Sequence, residues 1–302
     1  MQLGQGEREQ IMLNIRNILF PVDFSRCSVQ AAAQVREMAS RLAARVTLLN
    51  TIEIPSGWYN KTEVEAFAAM VNMDDIRRTR QQKLDEFMGA HFAGLPVQSV
   101  LGQGDPSEVI LDCVKAEAVD LIMMPTQGCG LVRRTMLGSV TAKVLHHAPC
   151  AVWTAAHVEE APHIADGSPK ILCALDLKEA GIPLLRQACT LATRLGAELE
   201  AVHVVPTAGM PSDPSCSEQL RPFLLSVADQ RARKLMEDAG VNVPCHLEEG
   251  GIAAGIRHAV THHRGTLVVI GRGHVAAALG GLRTKVFGII GECPAPVISL
   301  AG

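Results

Sequence analysis

The feature that most constrains this chain is that it repeats itself. From Asn17, NILFPVDFSRCSVQAAAQVREMASRLAARVTLLNTI lies without a gap on KILCALDLKEAGIPLLRQACTLATRLGAELEAVHVV, from Lys170. Ile18, Leu19, Asp23, Ala39, Arg41 and Leu42 meet Ile171, Leu172, Asp176, Ala192, Arg194 and Leu195. The later halves agree too: GDPSEVILDCVKAEAVDLIMMP, from Gly104, lies on GGIAAGIRHAVTHHRGTLVVIG, from Gly250, and both copies close with Pro-x-x-Val (Pro149 to Val152, Pro294 to Val297). Two copies of one domain follow. The expected division is an arm over 1–16, a first domain over 17–154, a Pro- and Gly-containing linker over 155–169 and a second domain over 170–302. A length of 302 residues allows two cores, each in a domain of roughly 150 residues.

Each copy alternates short apolar runs with amphipathic segments. Asn17 to Val22 and Lys170 to Leu175 are apolar runs closed by a turn signal, as expected of strands buried on both faces of a parallel sheet. Ala32, Val35, Ala39 and Leu42 then fall at helical spacing, matched by Leu185, Ala188, Ala192 and Leu195. Strands over 46–51, 97–101, 120–124 and 151–154, with helices between them, complete the first copy, and the second follows suit. The fold class is therefore α/β: two doubly wound, Rossmann-like domains, each a five-stranded parallel sheet with helices on both faces. Such sheets bind ligands beyond the carboxyl ends of their strands, where the strand order reverses.

Composition narrows the partners. Lys and Arg number 28 against 31 Asp and Glu, and the 2 Trp, 1 Tyr and 7 Phe are scattered, so neither a basic stripe nor a stacking platform for nucleic acid is present. The nine cysteines are odd in number and make no C-x-x-C pair, which argues against a disulfide framework or a structural zinc site. MQLGQGEREQ is a polar start, and no apolar run reaches the roughly 18 residues of a membrane span. A cytoplasmic protein without membrane or nucleic-acid partners is expected.

Two features fall at the carboxyl edge of the first copy. Asp23 directly follows the first strand; its carboxylate either accepts hydrogen bonds from a base or ribose or caps the next helix with Ser25 or Ser28, and both roles are compatible. The loop after the fourth strand, MMPTQGCGLVRRTMLGSVTAKVLHHAPC, carries Gly128 and Gly130, which allow close backbone approach, Arg133 and Arg134, and Gly138-Ser139 at the start of a helix whose N–H groups favour an anion.

The strand-end Asp, the G-D-P-x-E entry to the third helix (Gly104 to Glu108), the D-L-I-M-M strand and the G-x9-G-S loop together resemble the universal stress protein domain, over both repeats. The resemblance implies ATP binding, with Mg²⁺ as a companion ion, through a G-x2-G-x9-G-[ST] loop. By that likeness Pro21 and Asp23 meet the adenosine end, Val46 packs near the base, and Gly128, Gly138 and Ser139 surround the phosphates. Pro125 stands where the loop's first glycine belongs, which removes one backbone donor and fixes φ. In the second copy Asp176 keeps the acid and Gly271 restores that glycine, but aligning Gly273 with Gly128 sets Arg283-Thr284 where Gly138-Ser139 stands. That site reads as degenerate, or as one for another anion through Arg272 or Arg283.

No Walker motif and no paired metal-binding acids are written, so catalysis is not expected. His146, His147 and Cys150 straddle a helix end and a strand, and His262 and His263 are helix neighbours that do not face one another, so no metal site is read. The leading function is a nucleotide-binding stress-response module. The alternatives are a slow ATPase or self-phosphorylating protein, with Ser139 or Thr141 as acceptors, and a nucleotide-free interaction protein. The resemblance also implies that the closing strands, 151–154 and 297–300, pair within the chain, and it is compatible with a homodimer of whole chains. Trp58 and Tyr59, in the long segment after the second strand, read equally as part of a lid or of a packed insertion.

Overall fold

The computed structural model describes residues 13–53, 72–126, 137–156, 169–207, 214–272 and 281–300. Among these, the chain runs β1 (Asn17–Pro21), α1 (Arg26–Leu42), β2 (Arg45–Glu53), α2 (Met73–His91), β3 (Val97–Gly104), α3 (Pro106–Ala116), β4 (Leu121–Met123), α4 (Ser139–His147) and β5 (Ala151–Thr154). It continues through β6 (Lys170–Ala174), α5 (Gly181–Leu195), β7 (Glu198–Val205), α6 (Pro214–Ala239), β8 (Cys245–Glu249), α7 (Ile252–His263), β9 (Leu267–Gly271), α8 (Gly281–Glu292) and β10 (Val297–Leu300).

The contacts gather these elements into two compact units. One holds β1 to β4 with α1 to α4; the other holds β5 to β10 with α5 to α8. The first unit's strands lie in the order β3-β2-β1-β4, all parallel. The second reads β10-β9-β6-β7-β8, again parallel, with β5 added at its edge. The order reverses between β1 and β4, and between β6 and β9, so the turn after β1 and the loop after β4 open at the same switch point. Helices neighbour in pairs, α1 with α2 and α3 with α4, then α5 with α6 and α7 with α8, as a doubly wound α/β fold requires.

Local chemistry explains the elements. Four of the five residues of β1 are buried, which suits a strand covered on both faces. In α1 the buried positions include Ala32, Val35, Ala39 and Leu42, and in α5 Leu185, Ala188, Ala192 and Leu195, so the aligned apolar stripes do face the cores. Ser25 caps α1, and the helix ends at Ala43, in the left-handed region with φ 50°, where the second repeat has Gly196 with φ 63°. The backbone repeats elsewhere as well: Phe24 and Leu177 both take positive φ, 60° and 57°, one residue past the strand-end Asp. A bulky residue there is strained, and the same strain recurs at the same edge of both units.

β5 pairs antiparallel with β10, Val152 opposite Ser299, Trp153 opposite Ile298 and Thr154 opposite Val297. All four residues of each strand are buried. The closing strand of the first repeat thus lies in the second compact unit, its ladder groups covered rather than left as an open edge.

Candidate functional site

The site is built on two anchored segments at the switch point of the first unit. Val22, just past β1, donates its N–H to the Leu49 carbonyl at 2.8 Å, and its own carbonyl accepts from Asn50 Nδ2 at 2.6 Å. Asp23 follows and is exposed. Its Oδ1 accepts from the Ser28 hydroxyl at 2.6 Å and from the Ser25 N–H at 3.0 Å, while Ser25 Oγ accepts from the Ser28 N–H at 3.2 Å. The capping role is therefore realised, and it fixes the carboxylate at the sheet edge. Pro21, the last residue of β1, is half-buried and in register with Leu49.

The second segment begins after β4. Pro125 and Thr126 are buried, and both are used as acceptors from α4: the Gly138 N–H donates to the Thr126 carbonyl at 2.8 Å and the Thr141 hydroxyl to the Pro125 carbonyl at 3.3 Å. These bonds pin both ends of the stretch between Thr126 and Gly138. Gly138 has an ordinary φ of −61°, so its glycine identity is a matter of space: a Cβ there would sit 3.2 Å from the Thr126 carbonyl oxygen. Gly138 is the N-cap of α4 and no side chain caps that helix, while Ser139, in its first turn, is exposed. Amide groups so presented favour an anion.

The G-D-P-x-E entry turns out to be a brace. Asp105 caps α3, accepting from the Ser107 N–H at 2.8 Å and the Glu108 N–H at 3.3 Å, and Lys143 of α4 reaches it at 3.1 Å. The Ser107 hydroxyl, above all, then Lys143 and the two amides hold this carboxyl down to about 2 against the opposing effect of burial.

The family model described as the universal stress protein family matches residues 14–155 and again 168–292. The chain belongs to the universal stress protein family. A candidate universal stress protein of Staphylococcus haemolyticus is 32% identical over 163 residues, which cover 53% of this chain and 94% of that protein. A universal stress protein of Thermus aquaticus is 29% identical over 140 residues, 45% of this chain and 96% of its own. Among solved structures, a universal stress protein from Archaeoglobus fulgidus has a TM-score of 0.61 at 18% identity, covering 96% of this chain and 98% of that one, a likeness of fold. The two curated relatives are each matched over about half of this chain, and the family model matches it twice, in agreement with a two-repeat universal stress protein.

One expected contact of the universal stress protein site needs correction. Val46 is fully buried in the second position of β2, in register with Ile18 and Val97 near the amino end of the sheet. The carboxyl edge lies several residues further along β2, so Val46 is a core residue and is not brought to Asp23 or Gly138. Gly128 and Gly273 lie outside the described residues, as do Arg133, Arg134, Cys129, Trp58 and Tyr59.

The second unit keeps the frame and loses the fittings. Leu175 repeats the Val22 bond, donating to the Val202 carbonyl at 2.9 Å, and His203 replaces Asn50, its Nδ1 lying 2.8 Å from Leu175's own carbonyl oxygen. Asp176 is exposed, but Lys178 and Gly181 stand in place of Ser25 and Ser28, and its Oδ1 accepts only weakly from the Lys178 N–H, at 3.2 Å. α5 starts from Ala180 with no side-chain cap. Gly271, aligned with Pro125, is exposed, and a Cβ there would make only ordinary contact with Leu184, at 3.4 Å. Glycine is not sterically demanded at this position. α8 already begins at Gly281, which puts Arg283 inside its first turn rather than at its cap.

Sequence reading missed the anchors Thr126, Thr141 and Asn50. The signal for the last was present: Asn50 and His203 are aligned polar residues, each directly after an apolar pair, Leu48-Leu49 and Ala201-Val202.

Proposed function

We propose that the first repeat binds an adenine nucleotide, ATP with Mg²⁺, and that the chain is a nucleotide-responsive module of the stress-related family it belongs to. The supporting observation is the pinned stretch between Thr126 and Gly138, with the α4 N-terminus beside it, at the switch point that also carries Asp23. A nucleotide fits this donor set by its chemistry. The uncapped amides of α4 and the glycine-permitted close approach at 138 suit phosphates, and the exposed Asp23 suits hydroxyl or amino donors of the nucleoside. Val46 drops out of the contact set, while Pro21 and Asp23 stay at the adenosine end, with Gly128, Gly138 and Ser139 about the phosphates and Pro125 as an anchor.

The second repeat, with Asp176 lacking the paired serines and with Arg283 in the first turn of α8, takes ATP weakly or not at all; Gly271 and Gly273 alone do not rebuild the site. Thr141 is buried and donates to a main-chain carbonyl, which removes it as a phosphate acceptor and leaves the exposed Ser139 to carry the self-phosphorylation alternative.

Chromatography of nucleotide released on denaturing freshly purified protein tests this, beside displacement of a fluorescent ATP analogue by Mg-ATP. Close to one adenine nucleotide site per chain is expected. No released nucleotide together with no analogue binding would move the protein to the interaction class.

A further inference from the structure

The second unit carries a side-chain cluster at the end of its sheet opposite Asp176. Glu200 of β7, His246 of β8 and His263 at the close of α7 are each half-buried, and one ligand atom of each lies within 4.8 Å of the others. His246 Nε2 is 2.8 Å from Glu200 Oε2, the two imidazole rings stack with centroids 3.6 Å apart and 20° between planes, and Lys170 Nζ holds the other carboxylate oxygen at 2.5 Å.

The first repeat is an internal control. At the aligned positions Asn17, Thr47 and Glu117 stand for Lys170, Glu200 and His263. There the groups satisfy one another: Asn17 Nδ2 donates to the Glu117 carbonyl at 2.7 Å, Thr47 Oγ1 to Asn17 Oδ1 at 3.2 Å, and Gln98 Nε2 to Glu117 Oε2 at 2.7 Å. The second repeat has exchanged this closed amide and hydroxyl network for two imidazoles and a carboxylate that converge.

We propose that Glu200, His246 and His263 bind one divalent transition-metal ion, Zn²⁺ foremost, with water completing the coordination. Two imidazoles and one carboxylate are the donor set of open zinc sites, whose bonds of about 2.0–2.2 Å require the ligand atoms to close inward from their present spread. Lys170 stays on Oε1 as the outer partner that orients the carboxylate, and Oε2 turns to the ion. The ion takes the place of the proton shared by His246 Nε2 and Glu200 Oε2, which passes to Nδ1 or to solvent. Because an ion must lie near the plane of both rings, binding also unstacks His246 and His263.

Zn²⁺ titrated into the metal-free full chain against a competing chelator, with Co²⁺ as a spectroscopic substitute, tests the site. The wild type should take up one equivalent and show cobalt d–d bands without a thiolate charge-transfer band, and the ring-proton NMR signals of His246 and His263 should shift. H246Q, H263Q and the near-isosteric E200Q should each bind at least about tenfold more weakly, whereas H262Q, which removes the exposed neighbour, should bind as the wild type does. Circular dichroism of each variant separates loss of the site from loss of fold, with E200Q as the mildest change. Unchanged affinity in a folded E200Q or in the H246Q/H263Q double variant, or a thiolate band in the cobalt spectrum, would overturn the proposal.

Discussion

Ser28 shows how much of the site rests on one hydroxyl. It is buried, donates to Asp23 Oδ1 and, through its N–H, engages the Ser25 cap. Ser28→Ala leaves a carboxylate with one fewer charge-assisted bond, and urea unfolding should report a loss of about 1–2 kcal/mol. Asp105 supplies a pH signature. Its folded pKa lies below the ordinary 3.8, so its contribution is fully present above that value and is lost as pH falls through the window from 3.8 down to about 2. With its side chain 31% exposed, the contribution is discounted to about 1 kcal/mol. Asp105→Ala should therefore flatten the acid limb of a stability-against-pH profile between those values; an unchanged acid limb would show that the bonds from Ser107, Lys143 and the two amides together contribute nothing. At this scale the sequence was only partly legible. Asp23 and Ser25 stood out because capping chemistry is local, but Thr126 acts through its main-chain carbonyl and Thr141 donates to that of Pro125, and a bond to a carbonyl leaves no mark on the residue that accepts it. Val46 was misplaced because it stands at the start of β2, at the amino end of the sheet, whereas the switch point opens at the carboxyl end.

The elements were legible, their ends less so: β3, expected over 97–101, runs on to Gly104. The periodic segments became α1 and α5, and the apolar runs became β1 and β6, because burial on both faces leaves little freedom in what such strands contain. Close packing between elements was hidden. Gly255, in α7, lies against β7 so tightly that a Cβ would meet Val204 Cγ2 at 2.8 Å and Cγ1 at 2.9 Å. Alanine is the better helix former by about 1 kcal/mol, yet overpacking costs about 1–3 kcal/mol, so Gly255→Ala should lower the urea midpoint rather than raise it. A rise would mean that α7 can back away from β7 at no cost. The histidines illustrate the same limit. His246 and His263 lie in different elements and meet Glu200 only because β7, β8 and the end of α7 converge, which no local spacing reveals.

For the whole molecule, the repeat was the most legible fact, and the pairing of the closing strands that the family likeness implied is realised. Five strands per copy were expected, and five form, but β5 is held in the compact unit of the second repeat through its antiparallel ladder to β10. Trp153, 1% exposed, sits at the centre of that ladder opposite Ile298. Trp153→Ala should cost about 3–5 kcal/mol, and halves divided within 155–169 should still co-purify through the strand pair; halves that elute separately would count against it. No helix among the described residues is long and apolar enough to cross a membrane. The two repeats share a frame yet differ in their fittings: paired serines and a glycine cap at one switch point, a lysine and an early helix start at the other. The most direct measurement is calorimetric titration of Mg-ATP into the intact chain, with Gly138→Arg beside it, since that arginine would occupy the space next to the Thr126 carbonyl and carry into the first loop the residue the sequence aligns there in the second. One site per chain in the wild type, absent in Gly138→Arg, is the predicted result. No heat with the wild type, or equal binding by the folded variant, would contradict a nucleotide site in the first repeat.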